Sequence, residues 1–388
     1  MTFSLSFRIF VAVACLTVFG SAGVRAAAPD TAAKQAIMVD FETGVVMLEK
    51  DSDMLMPPAS MSKLMTSYML FEALTTGALK LDDTLPVSRK AWKKGGSKMF
   101  VKVGDRVGVE DLVRGIVVQS GNDACIVVAE GLSGSEEAFA EAMTQKAREI
   151  GMENSTFRNA TGWPDPQHMM TARELAHLAG RLIRDFPDHY RYFSEKSFTY
   201  AKIRQGNRNP LLYKNMGADG LKTGHTKAAG YGLTASAKRG DRRIVLVING
   251  MESARKRSRE AERLLEWGFR EFANYALFKA GDTVTDADVW LGVVDTVPLV
   301  IERDLTVTMR RADRKNMKVA VVFDGPLPAP IAKGTPVARL EITAPDGSVA
   351  KAPLVAGEAV EQLGMFGRLV AAAGYLVWGG ASQVSAGE

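Results

Sequence analysis

Three short motifs that lie far apart in the chain place the strongest constraint on its fold. They are Ser60-Met61-Ser62-Lys63, Ser120-Gly121-Asn122 and Lys222-Thr223-Gly224-His225. Each is common by itself, but together and in this order they are typical of one active site that attacks an amide carbonyl with a serine. Because the motifs span residues 60–225, we expect a single folded domain to bring all three together.

The order of predicted elements around these motifs indicates an α/β fold. Residues 37–50 are predicted to form a hairpin around Glu42-Thr43-Gly44. Helices are predicted over 60–74, 109–132, 136–150, 171–185 and 258–276, and strands over 222–226, 230–238 and 243–249. The helix at 171–185 begins with a predicted capping box, Thr171 with Glu174. Strands at both ends and helices between them predict an antiparallel sheet with its first and last strands side by side, covered by helices.

The character of the chain changes twice beyond this domain. Residues 284–342 carry short β-branched runs and frequent turn residues, which predict a small all-β domain. From Val360 onward, apolar residues recur every three or four positions on one helical face. That segment is shorter than the roughly 20 apolar residues needed to span a bilayer, so it favours a helix lying in the membrane interface. The alternative is an amphipathic helix docked on the β domain.

The amino terminus has the pattern of an export signal. Arg8 precedes an apolar run over 9–19, and small residues allow cleavage near residue 26. Loss of this segment leaves 47 basic against 44 acidic residues and lowers the formal charge from +5 to about +3, which is too mild to indicate nucleic-acid binding. It also leaves Cys125 as the sole cysteine, so no internal disulfide can form.

The first motif supplies a nucleophile and a base. A serine hydroxyl needs a neighbouring base at neutral pH, and Ser60 and Lys63 share a helix face. A buried lysine near other cations can lose its proton and serve as that base. Ser253 and Lys256 have the same spacing in a charged stretch, and we interpret that copy as chance.

The other two motifs add proton carriers and a docking edge. Ser120 can relay a proton to the leaving nitrogen, and the amide of Asn122 can hydrogen-bond both the substrate and Lys63. Lys222 adds positive charge, and Gly224 would let an extended substrate approach the strand backbone closely.

The extended motifs resemble those of the low-molecular-mass penicillin-binding proteins, the serine-type D-alanyl-D-alanine carboxypeptidases. The resemblance covers residues 58–66, 119–125 and 219–226, and the tail also resembles the family's anchor at 365–368 and Trp378. It implies a signal peptide (1–26), a penicillin-binding/serine β-lactamase-like catalytic domain (30–278), an all-β domain (279–358) and an amphipathic anchor helix (360–380).

The resemblance further implies the reaction and its partners. The enzyme would remove the terminal D-alanine from peptidoglycan pentapeptide stems through an acyl-enzyme, act in peptidoglycan maturation and cell-shape control, and be acylated by β-lactams. No cofactor or metal is expected, and no pair of histidines has a metal-ligand spacing. The enzyme would be exported and peripheral on the periplasmic face of the cytoplasmic membrane.

Residue roles follow from the same resemblance. Ser60 is the nucleophile and Lys63 the base, and Ser120, Asn122 and Lys222 move protons and hold substrate. The backbone N–H groups of Ser60 and His225 form the oxyanion hole. Thr223 and Arg208 bind the terminal carboxylate, Gly224 lines the edge strand, and His168 lies near the site or is an ordinary loop histidine. Cys125 is a small buried residue, or alternatively a thiol whose alkylation blocks the pocket.

Three alternatives stay open. A class A β-lactamase is disfavoured because the middle motif is Ser-Gly-Asn and no Glu-x-x-Leu-Asn lies between Ser120 and Lys222. A non-catalytic wall-binding protein is disfavoured because every catalytic position is filled. An endopeptidase acting on D-alanine cross-links would use the same residues.

Overall fold

In the computed structural model the described residues are 29–378, with side chains described to residue 371. The predicted signal segment, Cys15 and the end of the predicted anchor lie outside this range. The amino-terminal part of the described chain contains β1 (Gln35–Asp40), β2 (Val46–Lys50), α1 (Lys63–Thr75), β3 (Thr84–Pro86), α2 (Arg89–Lys93), β4 (Arg106–Gly108), α3 (Val109–Val117), α4 (Asn122–Ser133), α5 (Glu136–Glu149), α6 (Ala172–Asp185), α7 (Pro187–Tyr190), β5 (Ser197–Tyr200), β6 (Ile203–Gly206), β7 (Ala218–Thr226), β8 (Gly230–Arg239), β9 (Arg242–Met251) and α8 (Ala254–Glu271). The rest contains β10 (Phe272–Phe278), β11 (Thr283–Trp290), β12 (Thr296–Val300), β13 (Leu305–Arg310), β14 (Lys318–Val322), β15 (Leu327–Pro328), β16 (Pro336–Thr343), β17 (Val349–Ala356) and α9 (Met365–Trp378).

A five-stranded antiparallel sheet in the order β2-β1-β9-β8-β7 is the framework of the site. Gln35 pairs with Asn249, so the first and last parts of this region lie side by side as predicted. Side chains of β9 point alternately to the two faces of the sheet and pack in two hydrophobic cores. Ile244 and Leu246 pack in the cluster that contains Leu264 of α8, whereas Val245 packs in the larger cluster formed with the other helices. The sheet therefore separates two hydrophobic layers, and β7 is left as an edge strand next to the helical layer.

The helical layer confirms the predicted periodicity and refines its ends. The predicted helix over 60–74 is a 3₁₀ turn (Ala59–Ser62) followed by α1, and the region over 109–132 is α3 and α4 separated by the second motif. Only half of the predicted capping box forms. Thr171 accepts from the Glu174 N–H at 3.0 Å, but the Glu174 carboxylate turns to Asn154 and Ser155 instead.

One prediction of local structure was wrong, and one region had no predicted element. Residues 272–276 were assigned to the last helix, but α8 ends at Glu271 and β10 follows. Residues 272–278 are rich in aromatic residues, which favour strands, and Phe272 pairs with Arg310 of β13. These two effects override the helical spacing of the apolar residues. For residues 80–108 the sequence predicts no helix or strand, and the structure has α2 and the short β3–β4 pair there.

The carboxyl-terminal region is all-β, as predicted. β10 pairs with β13, and a second sheet has the order β14-β16-β17-β12-β11-β15 around a core that includes Leu299, Leu340 and Leu354. α9 follows after residue 364, and its first apolar side chains are exposed. None of the described helices is long and apolar enough to cross a membrane.

Candidate active site

The three motifs meet where the 3₁₀ turn before α1, the turn before α4 and strand β7 lie together. Ser60 is half-buried on the 3₁₀ turn. Ala59, the first residue of this turn, has a left-handed φ of 49°. Lys63 begins α1 directly after this turn. The turn brings the Ser60 hydroxyl and the Lys63 amine together on the side that faces the second motif.

Lys63 is the centre of the hydrogen-bond network. Its side chain is 0% exposed, and its Nζ donates to Ser60 Oγ at 3.1 Å, to Asn122 Oδ1 at 2.8 Å and to the Thr161 carbonyl. Burial lowers the pKa of Lys63 to about 8, and the positive charges of Arg208 and Lys94 act in the same direction. A fraction of Lys63 is therefore neutral near physiological pH, and its Nζ lies within hydrogen-bond distance of the Ser60 hydroxyl, where an amine can accept a proton.

The second motif presents a hydroxyl and an amide from a strained turn. Ser120 has a φ of 66°, and its Oγ is buried with no hydrogen-bond partner among the described residues. An unsatisfied buried hydroxyl is costly, and functional sites are where proteins retain such groups. The amide of Asn122 is held at both ends, because its Nδ2 donates to Gly95 O at 2.8 Å while its Oδ1 binds Lys63.

Asp123 fixes this turn, and the sequence analysis did not single it out. Its carboxylate is 1% exposed and accepts backbone N–H groups from Met99 and Phe100 at 2.9 Å each. These hydrogen bonds hold residues 99–100 against the amino-terminal end of α4. The only signal in the sequence was the acidic residue directly after the motif, which is also an ordinary first-turn position of a helix.

The third motif forms the edge strand of the site. Burial, followed by the nearby charge of Lys63, lowers the pKa of Lys222 well below its ordinary value. Lys222 is 2% exposed and its Nζ donates to the Thr223 carbonyl at 3.1 Å. Thr223 is buried on the same strand, whereas His225 is exposed and stacks on its cross-strand neighbour Tyr231 at 3.9 Å between ring centroids.

Gly224 lies against the turn that carries Ser60. A Cβ added there would lie 2.8 Å from the Pro58 carbonyl oxygen and 3.3 Å from the Cβ of Ala59. The missing side chain thus makes room for the turn that carries Ser60. Gly162 acts likewise from the other side, since a Cβ at its φ of +73° would lie 1.9 Å from Ala59 O.

Arg208 lies near the two active-site lysines, while its flanking residues hold the loop. Its charge lowers the pKa of both Lys63 and Lys222. Its guanidinium has no hydrogen bond or ion pair within residues 29–371, although burial lowers its pKa. Asn209 is 1% exposed and donates from Nδ2 to the Gly220 carbonyl at 2.7 Å, which ties the loop to β7. An arginine held beside the site without a carboxylate partner suits an incoming carboxylate.

His168 is buried beside the turn that carries Ser60 and hydrogen-bonds to Ser62. Its ring is 2% exposed, and burial lowers its pKa to about 4, so the ring is neutral. Nδ1 accepts from the Arg158 N–H at 3.2 Å, and Nε2 therefore donates to Ser62 Oγ at 2.7 Å. Both nitrogens are occupied within the protein, so His168 positions the first motif.

The loop over 159–163 is the main part of the site that sequence reasoning missed. Thr161 contributes only its carbonyl, which no side-chain pattern reveals. Trp163 is 44% exposed, and Lys94 lies over its ring at 4.7 Å. Together these two residues form a rim next to Gly96, whose added Cβ would lie 3.2 Å from the Trp163 ring.

The remaining cysteine and histidines have structural surroundings. Cys125 is 0% exposed, and burial raises the pKa of its thiol to about 12, which agrees with the prediction of a small buried residue. His177 bonds through Nε2 to the Ile150 carbonyl at 2.6 Å, and His189 packs against Phe71.

Sequence comparison finds two family profiles in succession. One described as D-alanyl-D-alanine carboxypeptidase matches residues 22–253, and one described as penicillin-binding protein 5, C-terminal domain, matches residues 272–362. D-alanyl-D-alanine carboxypeptidase DacC of Escherichia coli (strain K12) is 40% identical over 350 residues, which cover 88% of each chain. D-alanyl-D-alanine carboxypeptidase DacF of Bacillus subtilis is 32% identical and covers 86% of this chain and 87% of its own.

Solved structures give the same similarity. Penicillin-binding protein 5 from Haemophilus influenzae superimposes with a TM-score of 0.78 at 34% identity, covering 86% of this chain and 99% of that one. Penicillin-binding protein D2 from Listeria monocytogenes in its ampicillin-bound form has a TM-score of 0.57 at 30% identity, covering 62% of this chain and 100% of that one.

Proposed function

This chain belongs to the D-alanyl-D-alanine carboxypeptidase family, and we propose that its residues carry out the family's reaction through an acyl-enzyme on Ser60. It is a serine-type carboxypeptidase that acts on peptidoglycan stem peptides and is acylated by β-lactams. The observation that carries the assignment of roles is the buried Lys63, with its Nζ 3.1 Å from Ser60 Oγ and its pKa lowered to about 8.

Acylation begins when neutral Lys63 takes the proton of Ser60. The serine oxygen then attacks the carbonyl carbon of the penultimate D-alanine, and the backbone N–H groups of Ser60 and His225 stabilise the negative oxygen that forms. Ser120 passes its proton to the leaving nitrogen and receives in its place the proton held by Lys63, the carbon–nitrogen bond breaks, and free D-alanine departs. The hydroxyl of Ser120, which has no partner among the described residues, and the buried amine of Lys222, whose pKa is lowered by burial, suit this relay.

Deacylation uses the same residues in reverse. Water loses a proton to the Lys63 and Ser120 pair as it attacks the ester carbonyl, and Ser60 regains a proton as it leaves. During acylation, until free D-alanine departs, Arg208 and Thr223 hold the terminal carboxylate of the substrate, which orients the peptide along β7.

A matched pair of serine variants tests the nucleophile. Ser253 has the same spacing to a lysine, but its Oγ accepts the Lys256 N–H at 3.1 Å as the cap of α8. We expect Ser60→Ala to abolish D-alanine release from a stem pentapeptide. Ser253→Ala should retain the activity and lose only about 1 kcal/mol of stability. Unchanged release by Ser60→Ala would refute the mechanism.

The division between the two domains is proposed to fall at Glu271. β10 follows immediately and pairs with β13 of the all-β region, so residues 272–278 belong with that region rather than with the catalytic domain. This moves the boundary that we predicted at residue 278 to the end of α8.

Export and attachment to the membrane surface are the remaining parts of the proposal. Met365, Phe366, Leu369 and Val370 at the start of α9 are 63–86% exposed, so this part of the helix is not docked on the β domain. Exposed apolar residues on a short helix favour binding at the lipid interface. Deletion of residues 360–388 should release the exported protein from membranes and leave activity on small peptides intact. Equal membrane recovery after deletion would contradict the proposal.

A further inference from the structure

The hairpin turn between β11 and β12 is unusual because it is apolar and exposed. Residues 291–294 are Leu-Gly-Val-Val, with no ionisable or hydrogen-bonding side chain. Val293 is 54% exposed and Val294 is 49% exposed. Turns at a protein surface ordinarily carry polar residues, and two adjacent exposed valines at a tip therefore indicate something other than water as their partner.

This turn is bonded to the segment that leads into α9. The Leu363 N–H donates to the Leu291 carbonyl at 2.8 Å, and the Val293 N–H donates to the Glu361 carbonyl at 2.9 Å. Gly292 and Gln362 form an antiparallel bridge between the two segments. The valine tip is therefore fixed at the root of the helix, which begins at Met365.

The apolar surface continues from the turn into the helix. Met365 and Phe366, which open α9, are 71% and 86% exposed and lie two and three residues beyond the bonded Leu363. Asp295 and Glu361 flank the turn and are exposed. Moving the carboxylates of Asp295 and Glu361 into hydrocarbon would be costly. The turn can therefore contact lipid only at the level of the headgroups and not deeper in the bilayer.

We propose that the Leu291–Val294 turn is a second membrane contact of this protein, which enters the lipid interface together with the start of α9. This inference rests on the membrane association proposed above. A helix alone leaves the body of the protein free to pivot about residue 364, whereas a second contact bonded to its root fixes how the β domain meets the surface.

Vesicle binding with matched valine variants tests the inference. Val319 of β14 lies elsewhere in the β domain and is 47% exposed, which makes it the control for Val293 and Val294. The exported chain is mixed with vesicles of phosphatidylethanolamine and phosphatidylglycerol in a 3:1 ratio, and the bound fraction is measured by flotation. We expect Val293→Asp with Val294→Asp to weaken binding about tenfold and Val319→Asp to leave it unchanged. Equal binding by the double variant, or an equal loss in Val319→Asp, would overturn the inference.

A fluorescent label gives an independent reading that does not depend on affinity. The exported chain, cleaved after residue 26, lacks Cys15, and Cys125 is 0% exposed, so a bimane probe on Val294→Cys or Val319→Cys reports only the introduced thiol. Vesicles should shift the emission of the probe at residue 294 to shorter wavelength and leave that at residue 319 unchanged. If the wild-type chain binds and the probe at 294 does not shift, the second contact is wrong while the anchor stands. If the wild-type chain does not bind at all, the membrane proposal itself fails.

Discussion

Replacing Gly224 by alanine is the sharpest perturbation that the structure offers, because it adds one methyl group between two halves of the site. The added Cβ would lie 2.8 Å from Pro58 O and 3.1 Å from Met61 Cγ, against 3.4–4 Å for ordinary contact. The strand and the turn that carries Ser60 must therefore separate by about 0.6 Å, since the close-packed surroundings leave no other place for the methyl group.

The size of the effect follows from this displacement. Catalytic groups have to be held within about 0.5 Å, and an error of about 1 Å costs roughly 100-fold in rate. We therefore expect the second-order rate constant for acylation by a fluorescent penicillin to fall about 10- to 100-fold in Gly224→Ala. Overpacking should also cost about 1–3 kcal/mol and lower Tm by roughly 2–10 °C.

A control variant separates displacement from general destabilisation. Gly108 lies in β4, and a Cβ there meets only Asp111 at an ordinary 3.8 Å. Gly108→Ala should acylate like the wild type when both are assayed well below their Tm. A folded Gly224→Ala that acylates at the wild-type rate would refute the argument that this close approach sets the position of Ser60.

Three further predictions concern the protons and the thiol of the site. Acylation should speed up as the pH rises through about 8 and then level off, because Lys63 acts only when neutral and its pKa is lowered to about 8; stopped-flow rates that stay flat across this range would contradict its role as the base. Ser120→Ala should reduce D-alanine release about 100-fold or more while leaving Tm unchanged or slightly raised, since its Oγ is buried without a partner among the described residues; a large loss of Tm would instead indicate a structural role. Iodoacetamide should leave Cys125 unmodified in the native protein and label it in urea, because the thiol is 0% exposed with its pKa raised to about 12; rapid native labelling with loss of penicillin binding would support the alternative of a thiol open to the pocket.

The fold was predictable where local periodicity and global packing agree. Residues 109–132 and 171–185 are strongly periodic, and both are helical with only their ends shifted. The strand β10 was missed because Phe272 continues the apolar face of α8, and only its pairing with Arg310, which is distant in sequence, makes it a strand. Single-sequence patterns contain no information about such partners.

The site was predictable to the extent that side-chain chemistry defines it. Ser60, Lys63, Ser120, Asn122 and Lys222 were chosen for what their side chains can do, and the structure brings them together. Backbone groups and close approaches between segments leave no recognisable pattern of residue types in a sequence. The carbonyl of Thr161 and the contact of Gly224 with the Ser60 turn could therefore be found only from the three-dimensional structure. For His168, the sequence left two interpretations open, and only the structure shows that its ring nitrogens bond to Ser62 and Arg158 beside the turn that carries Ser60.

The central claim is that Ser60, activated by Lys63, forms a lasting acyl-enzyme, and intact-mass spectrometry after incubation with benzylpenicillin tests it most directly. The chain should gain the mass of one penicillin, peptide mapping should place the adduct on Ser60, and Ser60→Ala should gain no mass. Within residues 120–222 the sequence lacks the Glu-x-x-Leu-Asn that supplies the deacylating glutamate, so the adduct should persist long after free penicillin is removed. An adduct on another residue, or rapid hydrolysis of penicillin without an accumulated adduct, would contradict the account.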